Sequence, residues 1–332
     1  MNDVADFDVA IIGAGPSGSV SAALLHQQGF RVCVIERTHF PRFVIGESLL
    51  PYSMDILEEA DLVRVVQAQQ GFQYKNGAAF TWGERYTWFD FTDKFSKGPG
   101  TTFQVQRAVF DKILIDEVER RGVTVRYGQN VTGYEEVEGA SGEHLARLRI
   151  EAPEGAYTLQ ARFVLDASGY GRVLPRLLGL ERPSVLSPRK AIFTHIDDRI
   201  VGDDFDRNKI LISTHPAERG VWSWLIPFGN GRSSIGFIGE PEWINQRAAG
   251  LKAADEGALN EEIPRLSRIL RNAVWDNGVP FSSISNYSAN VTTLVGRNFA
   301  LLGNAAEFLD PVFSSGVTVA LQSARLASRV LG

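Results

Sequence analysis

Apolar and polar positions in the first third of the chain alternate between the strand period and the helix period. An apolar run over 7–12 predicts a strand, small residues over 16–29 predict a helix, and the β-branched run 31–35 predicts a second strand. An amphipathic pattern over 106–121 predicts a long helix that leads into a strand at 123–125. Strands and helices that alternate in this way predict an α/β fold.

The remaining patterns predict more strands, of which one returns to the first region. The patterns predict a β-meander at 131–137, 145–151 and 156–160, followed by a buried strand that ends in a turn at 163–169. They also predict a second sheet from 72–92 and 190–240, with a hairpin at Asn230 and Gly231. Also predicted are helical structure over 242–274, a strand and turn at 299–304, and a final helix from about residue 315.

Composition narrows the class of protein. The 332 residues carry a net charge of −5, which favours neither nucleic acid nor an anionic membrane as a partner. The single cysteine, Cys33, excludes an internal disulfide and a cysteine-rich metal site. The first residues are acidic and no apolar run has the length of a membrane span. We therefore expect a cytoplasmic enzyme without a metal, in a reducing compartment.

A glycine-rich turn after the first predicted strand indicates a dinucleotide site. Gly13 allows the tight turn, Gly15 lets backbone approach a pyrophosphate, and Gly18 lets the helix pack on the strand. The helix start at Pro16 and Ser17 supplies the positive end of a dipole and, from Ser17 onward, N–H groups. Glu36, followed by Arg37, ends the next strand where a ribose-binding acid is expected. The turn alone does not distinguish between NAD, NADP and FAD as the bound dinucleotide.

Two later motifs, together with the N-terminal turn, resemble the flavoprotein monooxygenase superfamily. One runs from Asp166 to Gly169, and the other begins at Gly303 and Asn304 and reaches Pro311. The resemblance implies FAD as the cofactor and these residues as contacts, although the family usually has an aspartate where Asn304 stands. It also implies that Arg107 contacts the cofactor, against the alternative of a solvated arginine at a helix start.

The resemblance spans essentially the whole chain and implies the p-hydroxybenzoate hydroxylase-like fold. A Rossmann-type FAD-binding domain is then expected from 1–70, 100–185 and 282–332, with an interleaved β-sheet substrate domain from 71–99 and 186–281. Members of the halogenase branch continue with a C-terminal helical region over the substrate tunnel. This chain ends as its final helix ends, so we expect that region to be lacking, by truncation or in a minimal form that a partner completes.

The stretch from Val221 to Pro227 resembles the W-x-W-x-I-P motif of flavin-dependent halogenases. Trp222 and Trp224 are two apart on a predicted strand, so they lie on one face. The resemblance implies an aromatic wall that keeps the substrate away from the flavin, so that a flavin hydroperoxide oxidises a halide and does not hydroxylate the arene. The alternative is that both rings fill the core.

Lys75, ahead of a small-residue strand, matches the halogenase lysine. In that role it polarises hypohalous acid, or forms a haloamine after losing its proton, and delivers halogen to the arene. Burial would lower its pKa and favour the second route. The alternative is an exposed lysine at a sheet edge.

The loop before the last helix offers a halide site at Ser315 and Gly316, where backbone amides meet a helix N-terminus. Ordinary N-capping is compatible with it. Tryptophan halogenases have a glutamate where this chain has Phe313, which indicates the phenol and pyrrole branch. The segment 41–51 resembles the loop that links the flavin and substrate sites, and Glu47 is either a buried hydrogen-bonding acid or a catalyst.

The resemblance implies an FADH2- and O2-dependent halogenase that uses chloride or bromide. Its expected partners are a separate NAD(P)H-dependent flavin reductase and a small electron-rich aromatic substrate, free or bound to a carrier protein. Three alternatives stay open: an aromatic hydroxylase, a flavoprotein reductase of the geranylgeranyl reductase type, and a flavin-binding protein without turnover.

Overall fold

The computed structural model describes residues 5–139, 142–202, 205–248, 258–285, 287–308 and 310–332. Its strands are β1 (Phe7–Ile12), β2 (Val32–Glu36), β3 (Gln73–Lys75), β4 (Gly77–Trp82), β5 (Arg85–Asp90), β6 (Thr102–Gln104), β7 (Thr124–Tyr127), β8 (Asn130–Glu138), β9 (His144–Ala152), β10 (Gly155–Asp166), β11 (Glu181–Arg182), β12 (Lys190–Asp197), β13 (Lys209–Thr214), β14 (Trp222–Pro227), β15 (Arg232–Gly239), β16 (Ser282–Ser285), β17 (Asn290–Val291) and β18 (Phe299–Leu301). Its helices are α1 (Pro16–Gln27), α2 (Tyr52–Glu59), α3 (Val63–Gln67), α4 (Arg107–Arg120), α5 (Val173–Leu177), α6 (Pro241–Ala248), α7 (Ala258–Glu261), α8 (Pro264–Ile269) and α9 (Gly316–Leu331).

The first sheet joins a parallel core to an antiparallel meander, in the order β7-β2-β1-β10-β9-β8, and β18 also pairs with β10. Strand β1 runs parallel to β2 and β10, whereas β9 runs antiparallel to β8 and β10. Strand β10 is continuous over 12 residues, so the strands predicted at 156–160 and 163–169 are one strand. Its first half pairs with β9 and its second half with β1, so the same strand belongs to the meander and to the parallel core.

The second sheet has the order β16-β12-β15-β14-β13-β4-β5. Strand β3 pairs with β6 in a separate two-stranded sheet, so the second sheet predicted from 72–92 is corrected to begin with β4. All pairs in the second sheet are antiparallel except β4 with β13. One face packs against Ile244, Leu259 and Leu266 of the helices α6 to α8. The opposite face carries Phe193 and Trp224. Because both faces are covered, nearly every residue of the central strands β12 to β15 is buried.

Three predictions can be compared directly with these elements. The hairpin at Asn230 and Gly231 is confirmed between β14 and β15, and Gly231 has a φ of +79° there. The prediction of helical structure over 242–274 is corrected to the short helices α6, α7 and α8, with Pro264 at the start of α8; residues 249–257 of that prediction lie outside the described residues. Strand β16 pairs with β12, so residues 282–285 belong to the second sheet, although the predicted division placed them in the first domain.

None of the helices in the described ranges is long and apolar enough to cross a membrane.

Candidate active site

A cavity of about 600 Å³ is lined from both sheets, a volume typical of small-molecule and cofactor sites. Its lining comes from the turn at 15–17, the pair 37–38, the segment 42–48, the turn at 167–171, parts of 304–320, and residues of strands β12 to β16 with Tyr287. One side of the cavity therefore carries the glycine-rich turn, and the other carries apolar side chains of the second sheet.

The three glycines of the first turn have different surroundings. Gly13 has a φ of +97°, and a Cβ there would lie 2.8 Å from the Ala167 carbonyl oxygen. A Cβ on Gly18 would lie 2.0 Å from the carbonyl oxygen of Gly13. A Cβ on Gly15 would meet only Arg42 Nη2, at 3.6 Å, and Gly15 lines the cavity. Gly13 and Gly18 thus close the turn, while Gly15 leaves backbone open to a ligand.

The N-terminus of α1 fits a pyrophosphate. Its N-cap residue, Gly15, has no side chain that could cap the helix, and Pro16 and Ser17 line the cavity. The first N–H groups of the helix are left for a ligand, at the positive end of a buried helix of 12 residues. This donor set matches the one predicted for a dinucleotide.

Glu36 ends β2 as predicted, but the structure places its carboxylate against the chain. It accepts from the Ala14 N–H at 2.9 Å and from the N–H and hydroxyl of Thr38 at 2.9 and 2.7 Å. Arg37 and Thr38 line the cavity, whereas Glu36 lies behind them. The carboxylate therefore holds the glycine turn, and its contact with a ribose stays a prediction.

Of the later motif residues, some line the cavity and others lie behind its wall. Asp166 is fully buried, and its carboxylate accepts from the N–H groups of Ser168 and Leu174 at 2.9 and 2.7 Å. Burial raises the pKa of this carboxyl, against the lowering effect of those hydrogen bonds. Gly303 packs on α9, where a Cβ would lie 2.8 Å from that of Ala320. Asn304 and Pro311 line the cavity, while Leu309 between them lies outside the described residues.

Arg107 lines the cavity at the start of α4 and is not solvated. Its guanidinium donates to both oxygens of Asp111, at 2.6 and 2.9 Å, and to the carbonyl of Ile45 at 3.0 Å. Arg107 therefore fixes the segment 42–48 against α4 and leaves a charged edge beside the cavity.

Trp222 and Trp224 both line the cavity, so they stand on one face of β14 as predicted. Their ring centroids are 6.2 Å apart, and Trp224 Nε1 donates to the Ser234 hydroxyl at 3.0 Å. Opposite Trp224 on β15 lies Gly236, where a Cβ would lie 2.2 Å from the indole ring. Because Gly236 has no side chain, the Trp224 ring packs directly over the Gly236 backbone as part of the tryptophan wall.

Lys75 ends β3 and is fully buried, so an exposed lysine at a sheet edge is excluded. Its ammonium donates to the Ser48 hydroxyl at 2.6 Å and to the Leu49 carbonyl at 2.8 Å, and lies 5.1 Å from the centre of the Phe91 ring. Burial lowers the pKa of Lys75 to about 7. Ser48 lines the cavity and Lys75 does not.

Ser315 and Gly316 line the cavity at the N-terminus of α9, a helix of 16 residues. Ser315 is the N-cap residue and forms no side-chain capping hydrogen bond. The free N–H groups at this helix start suit an anion. The exposed Phe313 precedes them, so no carboxylate occupies that position.

One functional candidate is absent from the sequence predictions. His195 of β12 contacts Glu47 through Nε2 and Oε1 at 2.6 Å, and the Glu47 side chain is almost fully buried. The pair ties the cavity-lining segment 42–48 to the second sheet. A histidine inside the apolar run of β12 is the only sequence signal for it, because its partner is far away along the chain.

Comparisons with known proteins identify the family of this chain. The profile of the FAD binding domain family matches residues 6–331. A 1H-pyrrole-2-carbonyl-[peptidyl-carrier protein] chlorinase of Pseudomonas fluorescens is 29% identical, over 97% of this chain and 75% of that protein. Among solved structures, the myxobacterial chondrochloren halogenase is 31% identical with a TM-score of 0.82, over 98% of this chain and 74% of the other. A flavoprotein/dehydrogenase from Cytophaga hutchinsonii is 41% identical with a TM-score of 0.87, over 98% of this chain and 78% of the other.

The chain belongs to the FAD binding domain family, its cofactor is FAD, and flavin-dependent halogenases are among its relatives. The predicted fold is confirmed by these matches. The chain spans 60% to 65% of the length of four further curated halogenases, so it covers only part of those proteins.

Proposed function

We propose that this protein halogenates an electron-rich aromatic compound, using reduced FAD, oxygen and chloride or bromide. The observation that carries the proposal is the cavity, which brings together two uncapped helix N-termini, a tryptophan wall and the Ser48 contact of a buried lysine. Bound reduced FAD supplies, with oxygen, the oxidising power for the halide.

Each part of the site has a role in this proposal. The α1 N-terminus and Gly15 hold the pyrophosphate of FAD, with the cavity-lining Arg37, Arg107, Asn304 and Pro311 as further contacts. Ser315 and Gly316 hold the halide, because their N–H groups meet the positive end of α9. Glu36, Asp166 and Gly303 support those contacts from behind the cavity wall.

The substrate side of the cavity performs the transfer. Trp222 and Trp224 separate the aromatic substrate from the flavin, since their rings stand side by side on the cavity face of β14. Lys75 acts on the halogenating species from its buried position. We accordingly assign 1–70, 100–185 and 286–332 to cofactor binding, and 71–99 and 186–285 to the substrate side, moving β16 to the sheet in which it pairs.

The substrate class and partners follow from the same proposal. The cavity face of the second sheet is apolar, with Phe193, Ile212 and Ile226 beside the tryptophans, which suits a neutral aromatic ring. Because a relative acts on a pyrrole carried by a peptidyl-carrier protein, we propose a free or carrier-bound acceptor. A separate NAD(P)H-dependent reductase supplies the reduced flavin. We place the enzyme in the cytoplasm, where the free thiol of Cys33 stays reduced.

The test is mass spectrometry of a reaction with FAD, a flavin reductase, NADH, oxygen, bromide and a mixture of phenols, pyrroles and indoles. A product with the isotopic doublet of bromine, lost without oxygen, is the expected result. An oxygenated product without bromine would mean a hydroxylase. A product formed under strict anaerobiosis would favour a reductase or dehydrogenase, the class named for the Cytophaga hutchinsonii relative.

A further inference from the structure

Lys75 has no surface on the cavity. It is 0% exposed and is not among the lining residues, while the aromatic ring of Phe91 covers another side of its ammonium at 5.1 Å. A molecule in the cavity meets Ser48, which lines it and accepts from Lys75 Nζ at 2.6 Å. Ser48 therefore lies between the lysine and the cavity.

The Ser48 hydroxyl has a hydrogen to donate. A serine hydroxyl carries one donor and two acceptor lone pairs, and Lys75 uses one lone pair. Across the described part of the chain, no acceptor takes the Ser48 hydroxyl hydrogen, although Ser48 is only 4% exposed. A buried donor of this kind is costly unless a ligand or water accepts from it. The free O–H is available to a molecule in the cavity.

The backbone holds this arrangement rigidly. The Val105 N–H donates to the Glu47 carbonyl at 2.7 Å, and the Leu49 N–H donates to the Phe103 carbonyl at 3.1 Å. Phe103 belongs to β6, Val105 follows directly after the end of β6, and Lys75 pairs with Thr102 of the same strand. One strand thus positions both Ser48 and Lys75.

We propose that Ser48 is a catalytic residue that passes the proton of Lys75 to hypohalous acid in the cavity. This proposal rests on the proposed halogenation. As the carbon–halogen bond forms, the halogen–oxygen bond breaks, the oxygen takes the Ser48 proton, and Ser48 takes a proton from Lys75. Water leaves, and the ring proton returns through Ser48 to the Lys75 amine. The balance is arene plus hypohalous acid giving haloarene plus water.

The test compares wild type, Ser48→Ala and Ser48→Thr, with bromide and a phenol as substrates. Bound FAD, brominated product and trapped free hypobromous acid are measured for each. In Ser48→Ala we expect normal FAD binding and normal trapped acid, with product reduced about tenfold or more. Ser48→Thr keeps the hydroxyl and is expected to keep most of the product. Equal product in Ser48→Ala and wild type would overturn the proposal and leave the halogenation standing.

A second readout needs no turnover. NMR titration of apoprotein with ¹³C-labelled lysine follows the pKa of Lys75. Ser48→Ala removes the hydroxyl that accepts from the Lys75 ammonium, so we expect a lower pKa of Lys75 in that variant and an unchanged pKa in Ser48→Thr. Identical titrations in all three proteins would contradict the Lys75–Ser48 contact. If Ser48→Ala does not fold, the test uses Ser48→Thr, provided that it folds and binds FAD. Brominated product from Ser48→Thr supports the relay, and a lack of brominated product refutes it. A wild type without brominated product would refute the halogenation, and the role of Ser48 with it.

Discussion

The glycine turn of the first sheet and the inner face of the second sheet hold the two sides of one cavity by different means. In the first, backbone does the work: Gly13 leaves room for the Ala167 carbonyl, Gly18 leaves room for the Gly13 carbonyl, and the uncapped start of α1 faces the cavity. In the second, side chains do it: Trp224 stands over Gly236, and Lys75 of the neighbouring strand β3, which pairs with β6, is buried behind Ser48. Backbone donors suit a common nucleotide, whereas side chains set the chemistry done beside it.

The largest effect on the protein itself is expected from Gly18→Val in the first region. A Cβ there would lie 2.0 Å from a carbonyl oxygen, so the helix or the turn must move. We expect a loss of more than about 3 kcal/mol in the free energy of unfolding, measured by denaturant titration. The control is Gly71→Ala, where a Cβ meets nothing within 4 Å and the backbone needs no positive φ. Equal stability of the two variants would contradict the packing role of Gly18.

Gly15→Val separates folding from cofactor binding. The position is open, so we expect stability close to wild type, while FAD affinity falls by about 100-fold or more because the side chain occupies the place of the pyrophosphate. Flavin fluorescence titration measures the affinity. A variant that purifies with wild-type amounts of yellow FAD would refute the placement of the cofactor.

Lys75→Met removes the buried amine at the end of β3, on the substrate side of the cavity. Between pH 7 and the ordinary lysine pKa of 10.5, the unfolded lysine holds a proton that the folded one has lost. Raising the pH in this range therefore favours the folded wild type, by up to about 1.4 kcal/mol per pH unit, relative to Lys75→Met. Urea unfolding of both proteins at pH 7, 8 and 9 checks this. Parallel pH dependence would mean that Lys75 titrates normally.

Gly236→Ala tests how the tryptophan wall is seated. The added Cβ meets the Trp224 ring at 2.2 Å, so we expect a loss of about 1–2 kcal/mol in unfolding free energy and a changed near-UV CD spectrum. In a Trp224→Leu background the same change is expected to cost less, because the rigid ring is gone. An equal loss of unfolding free energy in the wild-type and Trp224→Leu backgrounds would mean that the added Cβ clashes with a group other than the Trp224 ring.

The sequence predicted the backbone half of the site better than the side-chain half. Gly13, Gly15 and Gly18 are close together along the chain, and their strand, helix and strand follow in order, so local pattern was sufficient. The paired tryptophans also follow from strand alternation. The contact of Lys75 with Ser48 joins β3 to a segment 27 residues earlier, and the pair of His195 and Glu47 spans 148 residues. Such contacts depend on how strands pair, which periodicity does not encode.

The same limit explains why two carboxylates that the motifs placed on the cofactor lie behind the cavity wall in the structure. Glu36 and Asp166 end β2 and β10, the strands on either side of β1, at the positions along the chain that the motifs predict. Their carboxylates nevertheless accept backbone N–H groups of Ala14 and Leu174, which hold the neighbouring turns. A motif gives the position of a residue, whereas the choice between supporting a turn and facing the cavity depends on nearby free N–H groups.

In the proposed mechanism, the oxidant is made on the side of the glycine turn and the halogen is transferred on the side of Lys75. The most direct test measures brominated product and trapped free hypobromous acid together in wild type, Lys75→Ala and Gly15→Val. We predict that Lys75→Ala forms product about 100-fold or more slowly but releases undiminished hypobromous acid, and that Gly15→Val makes neither. A Lys75→Ala enzyme that brominates the substrate at the wild-type rate, or that loses product and hypobromous acid in parallel, would contradict it.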